Sequence, residues 1–373
     1  MILGVLKETG KENRVALLPE AVDVFIKLKV KVLVESGAGV NAFISDKSYQ
    51  DVGAEIASRD DILSKAEVIV KINPLAKDDL SKLQPGKVLL AVLNPLWDKE
   101  LVKDLQVRKI TSFSLDSIPR TSRAQAMDIL SSMATVSGYR AVLDAAMNLP
   151  TFFPMFMTAA GTITPAKVLI LGAGVAGLQA LATSRKLGAQ VQVFDVRAAV
   201  KEEVMSLGGK FVEVEGAIDE KSAGGYAVEQ TDEFKQKQKQ AIHDVAIKSN
   251  VVICTAQIPG KKAPVLLEKT TVDAMKPGSV VIDLAASTGG NCELTQNDQV
   301  IMHNGVKIIG KSDYPTTMPM DASKMFGKNV INFMKLMITK EGDFNLNFDD
   351  DIVKGTCITH NGEVINERVK QLL

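Results

Sequence analysis

The sequence is poor in the residues that build metal centres and disulfide scaffolds. Its 373 residues include three cysteines and three histidines. Cys254, Cys292 and Cys357 are too widely spaced for a disulfide framework or a zinc motif, and they suggest a reducing compartment. His243, His303 and His360 match no metal-ligand spacing, so no metal site is expected. No uninterrupted apolar run reaches the roughly 18 residues of a membrane span. The nearest, 166–182, is broken by glycines. The first residues, MILGVLKETGKENR, meet their charges too early for a secretory signal. Neither sign of charge prevails, since Lys plus Arg and Asp plus Glu number 44 each. Nothing in the overall charge therefore suggests nucleic acid as a partner.

What is present is the composition of a packed globular protein, 46% apolar, in a chain long enough for two domains. Strand-like runs at Ile2–Lys7, Lys31–Glu35, Val68–Ile72, Val88–Leu93 and Ile110–Leu115 alternate with helical stretches at Pro19–Leu28, Lys47–Ala54 and Asp98–Leu105. This alternation predicts a mostly parallel sheet covered on both faces. A long helix is expected from about Arg123 to Asn148, and further strands at Val251–Thr255, Val280–Leu284 and Lys307–Gly310. Ala322–Thr339 has helical apolar spacing and is expected to return the chain to the first domain. The tail from Phe344 to Ile365, with His360-Asn361-Gly362 as its turn, reads as a β-hairpin. The expectation is an α/β protein of two Rossmann-like doubly wound domains with mostly parallel sheets, separated by a cleft. The first would be discontinuous (1–132 and 325–373), and the second would cover 133–324.

The strongest local signal is AKVLILGAGVAGLQALATSRKLGAQVQVFD, residues 166–195. A buried strand runs into Gly172, Gly174 and Gly177, then an apolar helix, then a second strand ending in Asp195. This is the dinucleotide fingerprint in its required context. Gly172 permits the tight turn, Gly174 lets the backbone approach a pyrophosphate, and Gly177 lets helix and strand pack. The helix N-terminus, at Val175 and Ala176, offers free N–H groups and a positive dipole end. Asp195 can accept hydrogen bonds from an adenosine ribose and repel a 2′-phosphate. Two unit charges about 4 Å apart at an effective dielectric near 20 interact by about 4 kcal/mol, and half of that disfavours NADP more than tenfold. The reading is NAD(H), opposed only by Arg197, which could accommodate a 2′-phosphate.

Two further stretches carry polar residues in suggestive patterns. Residues 216–240 are polar around Gly224-Gly225-Tyr226. They read either as a solvated loop entering a charged helix or as a mobile lid with glycine hinges and an aromatic tip. In PRTSRAQAMDILSS, residues 119–132, Gln125, Asp128 and Ser131 recur at i, i+3, i+6 after Arg120. On one helix that row would align an amide, a carboxylate and a hydroxyl, suited to a carboxamide and ribose. The alternative is local, with Ser122 and Gln125 as a capping box and Asp128 favourable near a helix start.

Together with DVRAAVKEEVMSLGGKFVEV, AGGYA, TAQIPGKKAPVLL and MKPGSVVIDLAASTGGN, these motifs make the chain resemble the NAD(H)-binding alpha subunit of the proton-translocating, Re/Si-specific NAD(P)+ transhydrogenases, almost from end to end. The resemblance implies direct hydride transfer between NAD(H) bound here and NADP(H) on a partner subunit, with a membrane-spanning proton-channel subunit as second partner. It places Arg120, Gln125, Asp128 and Ser131 in the nicotinamide pocket, with Gln125 reaching toward the NADP(H) side. It puts Asp195, Val196 and Arg197 at the adenosine ribose. Val175, Ala176, Gly225, Gln238, Ala256 and Gln257 would contact the cofactor, and Tyr226 would tip the mobile loop. It further implies a homodimer, peripheral on the cytoplasmic face of the inner membrane. The apolar stretch at 149–157, LPTFFPMFM, reads as a dimer contact or as core.

Alanine dehydrogenase shares the fold and is the rival. Arg14 and Lys71 match its substrate-carboxylate positions. Its catalytic histidine, however, falls at Asn94, and its catalytic aspartate at Ser287. Oxidative deamination needs a proton acceptor near the substrate carbon, which neither Asn nor Ser supplies.

Overall fold

Short β-branched and leucine runs form the strands, and helical segments lie between them. The computed structural model describes residues 1–216 and 230–373. It divides into two units, Met1–Met133 with Pro315–Leu373, and Ala134–Tyr314.

The first unit begins β1 (Ile2–Val5), α1 (Pro19–Lys27), β2 (Lys31–Glu35), α2 (Asp46–Asp51), β3 (Glu55–Ala57), α3 (Arg59–Lys65), β4 (Val68–Val70), α4 (Lys77–Lys82), β5 (Val88–Ala91), α5 (Lys99–Val107) and β6 (Thr111–Ser114). Pro19 sits in the first turn of α1, where its missing N–H costs nothing. Ser58 and Asp98 cap α3 and α5 by accepting backbone N–H groups. The sequence reading did not single out β3, α3 or α4, three elements of seven residues or fewer.

The expected single helix over 123–148 is two pieces. A 3₁₀ turn covers Ser122–Met127, and α6 (Ile129–Asn148) follows a break at Asp128. Asp128 has ψ 96, outside the helical range. Its carboxylate accepts the Ser131 N–H at 2.9 Å and the Ser131 hydroxyl at 2.6 Å. An aspartate that satisfies the first orphan donors of one helix cannot also continue the preceding one.

The second unit carries the hairpin β7 (Phe156–Thr158) and β8 (Gly161–Ile163), then β9 (Lys167–Leu171), α7 (Val175–Lys186), β10 (Gln190–Phe194), α8 (Lys201–Ser206), β11 (Lys210–Phe211), α9 (Asp232–Ala246), β12 (Val251–Cys254), α10 (Lys269–Ala274), β13 (Val280–Asp283), β14 (Gln299–His303) and β15 (Val306–Gly310). Its sheet runs β11-β10-β9-β12-β13-β15-β14 and is parallel except at β14. Alternation along the strands divides the apolar side chains between two faces. Val168, Ile170, Val191 and Val193 pack on one, and Leu169, Leu171, Phe194 and Val252 on the other.

The chain then completes the first unit with α11 (Pro319–Met334), α12 (Asp351–Thr356), β16 (Cys357–His360), β17 (Glu363–Val364) and α13 (Glu367–Lys370). Phe326, Val330 and Phe333 of α11 join the core formed by α1 and β1. The sheet runs β3-β2-β1-β4-β5-β6-β16-β17. The expected terminal hairpin is present but narrower, because α12 occupies part of the stretch. Its turn residues Asn361 and Gly362 have φ 51 and 85, as a two-residue type I′ connection requires.

Candidate functional site

The three glycines after β9 have three different physical reasons. Gly172 has φ +105, and a Cβ there would lie 2.6 Å from the Thr255 hydroxyl. A Cβ on Gly177 would lie 1.9 Å from the Gly172 carbonyl oxygen. Both positions are closed by the protein itself. Gly174 differs, because its φ of −75 suits any residue and, among the described residues other than its chain neighbours, no atom lies within 4 Å of where its Cβ would be. Packing among the described residues therefore does not require a glycine at 174. Val175, Ala176 and Gly177 open α7 there, and first-turn N–H groups have no carbonyl one turn earlier in the helix. A helix start with open space before it fits a dinucleotide pyrophosphate.

Asp195 follows the end of β10 and accepts four hydrogen bonds. Its Oδ2 takes the Ala173 N–H at 2.6 Å and the Arg197 Nη2 at 2.7 Å. Its Oδ1 takes the Arg197 backbone N–H and Nε, each at 2.9 Å. A carboxylate offers about four acceptor sites, so Asp195 is saturated. Ribose hydroxyls could bond to it only by displacing Arg197. The pairing also cancels much of the negative charge that the sequence reading set against a 2′-phosphate. Val196 between them packs partly against the core.

Across the sheet, β12 leads into Thr255, Ala256 and Gln257. The Thr255 hydroxyl donates to the carbonyls of Gly172 at 3.0 Å and Leu171 at 3.2 Å. Gln257 Nε2 donates to the Leu284 carbonyl at 3.0 Å. Gln238 is buried on α9. Gly225 and Tyr226, with the proposed lid around them, lie outside the described residues. Sequence reasoning missed Thr255, Asp283 and Asn291, which brace this loop. The expected strands Val251–Thr255 and Val280–Leu284 contain the first two, and the stretch MKPGSVVIDLAASTGGN contains the last two. A cavity of about 550 Å³ lined by Lys167, Arg185, Lys210 and Lys248 lies at the opposite end of β9 and is not part of this site.

In the first unit, Arg120, Gln125 and Ser122 are exposed, while Asp128 and Ser131 are half-buried. The break at Asp128 means that Gln125, Asp128 and Ser131 do not form a row on one helix. The Ser122 capping box is also absent, since Thr121 caps the 3₁₀ turn by accepting the Ala124 N–H at 3.3 Å. Asp128 and Ser131 are joined to each other, and Gln125 precedes them on the separate 3₁₀ turn.

The two cations at the alanine-dehydrogenase-like positions are already neutralised. Lys71 Nζ lies 2.8 Å from Glu8 in a pair whose side chains are 2% and 1% exposed. Glu8 also accepts the backbone N–H of Ile72 at 2.6 Å and of Asn73 at 3.3 Å. Arg14 is held by Glu12 through Nε at 2.8 Å and Nη2 at 2.6 Å. Burial alone would push the Glu12 carboxyl up, but the hydrogen bonds and charge of Arg14 hold it below the ordinary glutamate range. Asn94 and Ser287 are both exposed.

Sheet order and glycine turn define a doubly wound α/β protein with a dinucleotide-binding turn. Residues 141–367 match the C-terminal domain of the alanine dehydrogenase/PNT family and residues 4–137 its N-terminal domain. The chain belongs to that family, on its NAD(P) transhydrogenase alpha-subunit side. It is 45% identical to an NAD(P) transhydrogenase alpha-subunit chain of Rhodospirillum rubrum over 364 residues, 95% of each chain. The crystal structure of transhydrogenase from Sinorhizobium meliloti matches it with a TM-score of 0.90 at 39% identity, covering 98% of this chain and 100% of that one. Alanine dehydrogenase of Bacillus subtilis is 28% identical over 99% of this chain and 94% of its own.

Proposed function

We propose that this chain is the NAD(H)-binding component of an NAD(P)+ transhydrogenase. Its partners would be a subunit that binds NADP(H) and a membrane-spanning subunit that couples the reaction to proton translocation. The observation that carries this reading is an open dinucleotide turn at Gly174 in a chain with Asn94 and Ser287 where an amino-acid dehydrogenase needs its acid and base. NAD(H) would supply hydride exchange at its nicotinamide, directly with the partner's NADP(H), and such a reaction needs no proton acceptor. What it demands of the protein is position, with reacting atoms about 3–3.5 Å apart. The N–H groups of Val175, Ala176 and Gly177 would hold the pyrophosphate. Asp195 would hold the adenosine ribose once Arg197 yields, and Val196, Gln238, Ala256 and Gln257 would line the remainder. Arg120, Gln125, Asp128 and Ser131 would orient the carboxamide and ribose of the nicotinamide half. Fixing the ring in one orientation would set the stereochemistry of transfer.

The chain would act as a homodimer. Phe152, Met155, Phe156, Met157 and Ile163 are exposed together on and beside the β7–β8 hairpin, and Phe152 meets Phe156 edge-on at 4.7 Å. An isolated two-stranded hairpin is marginally stable in water, and a contiguous apolar patch suits a second copy. No helix among the described residues is long and apolar enough to cross a membrane. Membrane association, placed on the cytoplasmic face, would therefore run through the partner subunits.

The test is a rate. This chain is mixed with NADPH, an NAD+ analogue of distinct absorbance and an NADP(H)-binding partner, and the mixture is compared with the same reaction lacking the partner. Rapid transfer in the complete mixture alone is the expected result. No transfer with a folded, NADP-loaded partner would overturn the reading and make L-alanine with NAD+ the next substrate pair to test.

A further inference from the structure

Dinucleotides bind doubly wound sheets across the point where strand order reverses. In the second unit that point lies between β9 and β12, with β10 on the far side of β9. Asp195, at the end of β10, therefore lies on one side of the switch point. Residues 255–257, leaving β12, lie on the other. If Asp195 takes the adenosine ribose, as the proposed function holds, the loop at 255–257 serves the nicotinamide half.

That loop does not hold itself in place. The Ala256 N–H donates to Asn291 Oδ1 at 2.9 Å, and Asn291 Nδ2 donates back to the Ala256 carbonyl at 2.9 Å. Both polar groups of residue 256 are thereby committed to one side chain. Asn291 Nδ2 also reaches the Pro264 carbonyl at 2.8 Å, clamping the loop's downstream continuation. Asn291 is completely buried. Its backbone N–H donates to Asp283 Oδ2 at 2.8 Å. Asp283, equally buried at the end of β13, gathers the Cys292 N–H at 2.9 Å and the Thr295 hydroxyl at 2.7 Å on the same oxygen. Its other oxygen takes the Ala285 N–H at 2.9 Å. Gly290, at φ +79, allows the chain to fold back so closely, since a Cβ there would lie 2.9 Å from Asp283 Oδ2.

We propose that Asn291 is a positioning residue for the nicotinamide-side half of the dinucleotide site, fixing the Ala256 peptide and with it the 255–257 loop, while Asp283 fixes Asn291. A buried amide that makes three side-chain hydrogen bonds has little freedom. With its N–H given to Asn291, residue 256 has no donor left for a ligand and keeps one lone pair of its carbonyl. Directed contact on this side falls to the Gln257 side chain, whose amide nitrogen is anchored on Leu284.

The experiment compares NADH with AMP by calorimetry on the full-length parent, Asn291→Ala and Asn291→Asp. AMP occupies only the adenosine half. Asn291→Ala should weaken NADH about tenfold, the effect of one lost buried hydrogen bond, and leave AMP within about twofold. Asn291→Asp conserves the volume and the acceptor for the Ala256 N–H but loses both donors. It should show the same NADH-selective loss, so the outcome does not depend on the alanine variant folding. Equal weakening of NADH and AMP would mean general loosening and would overturn the proposal, as would no weakening of either. A parent that binds AMP but not NADH would overturn the proposed function itself, an outcome that neither variant can imitate.

Discussion

The two units wind their sheets in the same order. The first runs β3-β2-β1-β4-β5-β6 and the second β11-β10-β9-β12-β13-β15, before the first adds two antiparallel strands and the second one. Order reverses between β1 and β4 in one and between β9 and β12 in the other. In the first unit the chain leaving these strands brings Glu8 and Lys71 together, and they close the switch point with a buried ion pair. In the second it brings Gly172 and Thr255 together, and among the described residues space remains at Gly174. The same topology thus yields a plugged crevice or an open one. The side-chain volume and charge of two short loops decide which, so topology alone does not confer a site.

The largest expected effect comes from unplugging the closed switch point. Lys71→Met leaves the Glu8 carboxylate buried without a cation, and the first unit should lose about 3–5 kcal/mol. Trp97, the single tryptophan, belongs to that unit, so its fluorescence in a urea titration reads this loss. A change below about 1 kcal/mol would show that the pair is not what holds the crevice shut. The converse experiment plugs the open switch point. Gly174→Leu should weaken NADH at least about 100-fold, roughly 3 kcal/mol, while costing the ligand-free protein no more than about 1 kcal/mol as a poorer helix cap. Retained NADH affinity would place the ligand elsewhere.

A smaller effect concerns the charge at the open site. Asp195→Ala removes the carboxylate and releases Arg197, so the preference for NADH over NADPH should fall about tenfold. Arg197→Ala should move it the other way. An unchanged ratio in both would remove this pair from cofactor selection. The smallest concerns the plugged side again. Glu12 has a folded-state pKa below its ordinary value. Its pairing with Arg14 therefore stabilises the first unit above the ordinary glutamate range and is lost as pH falls through the lowered value. The stability gap between the parent and Glu12→Gln, on the order of 1 kcal/mol at neutral pH, should close in acid. A gap independent of pH would assign the effect to packing.

The open site was legible because its signal is steric and local. Glycines at 172, 174 and 177 between two strand-like runs leave few other structures, and the alternation from Ile2 to Leu115 carries the parallel sheet in the same way. The expected helix from Arg123 fails over 123–128, where a 3₁₀ turn ends at Asp128. Spacing treats Asp128 as a helical position, whereas its carboxylate competes for backbone donors and starts a new helix. The Asn291–Ala256 contact leaves no periodic trace, because it joins the loops that follow two parallel strands, β13 and β12. The Glu8–Lys71 pair is hidden for the same reason, its members lying 63 positions apart.

The antiparallel pairing of β16 with β6 also bears on how the chain is made. Phe113 on β6 pairs with Cys357, so the edge of β6 waits for a partner about 240 residues downstream. At about 5–20 residues per second on the ribosome, that edge stays bare for roughly 12–50 s while the whole of Ala134–Tyr314 is synthesised. Residues 1–133 therefore belong to a unit completed only after Ala134–Tyr314 has been made, and nascent chains stalled in this interval are where chaperone capture should concentrate.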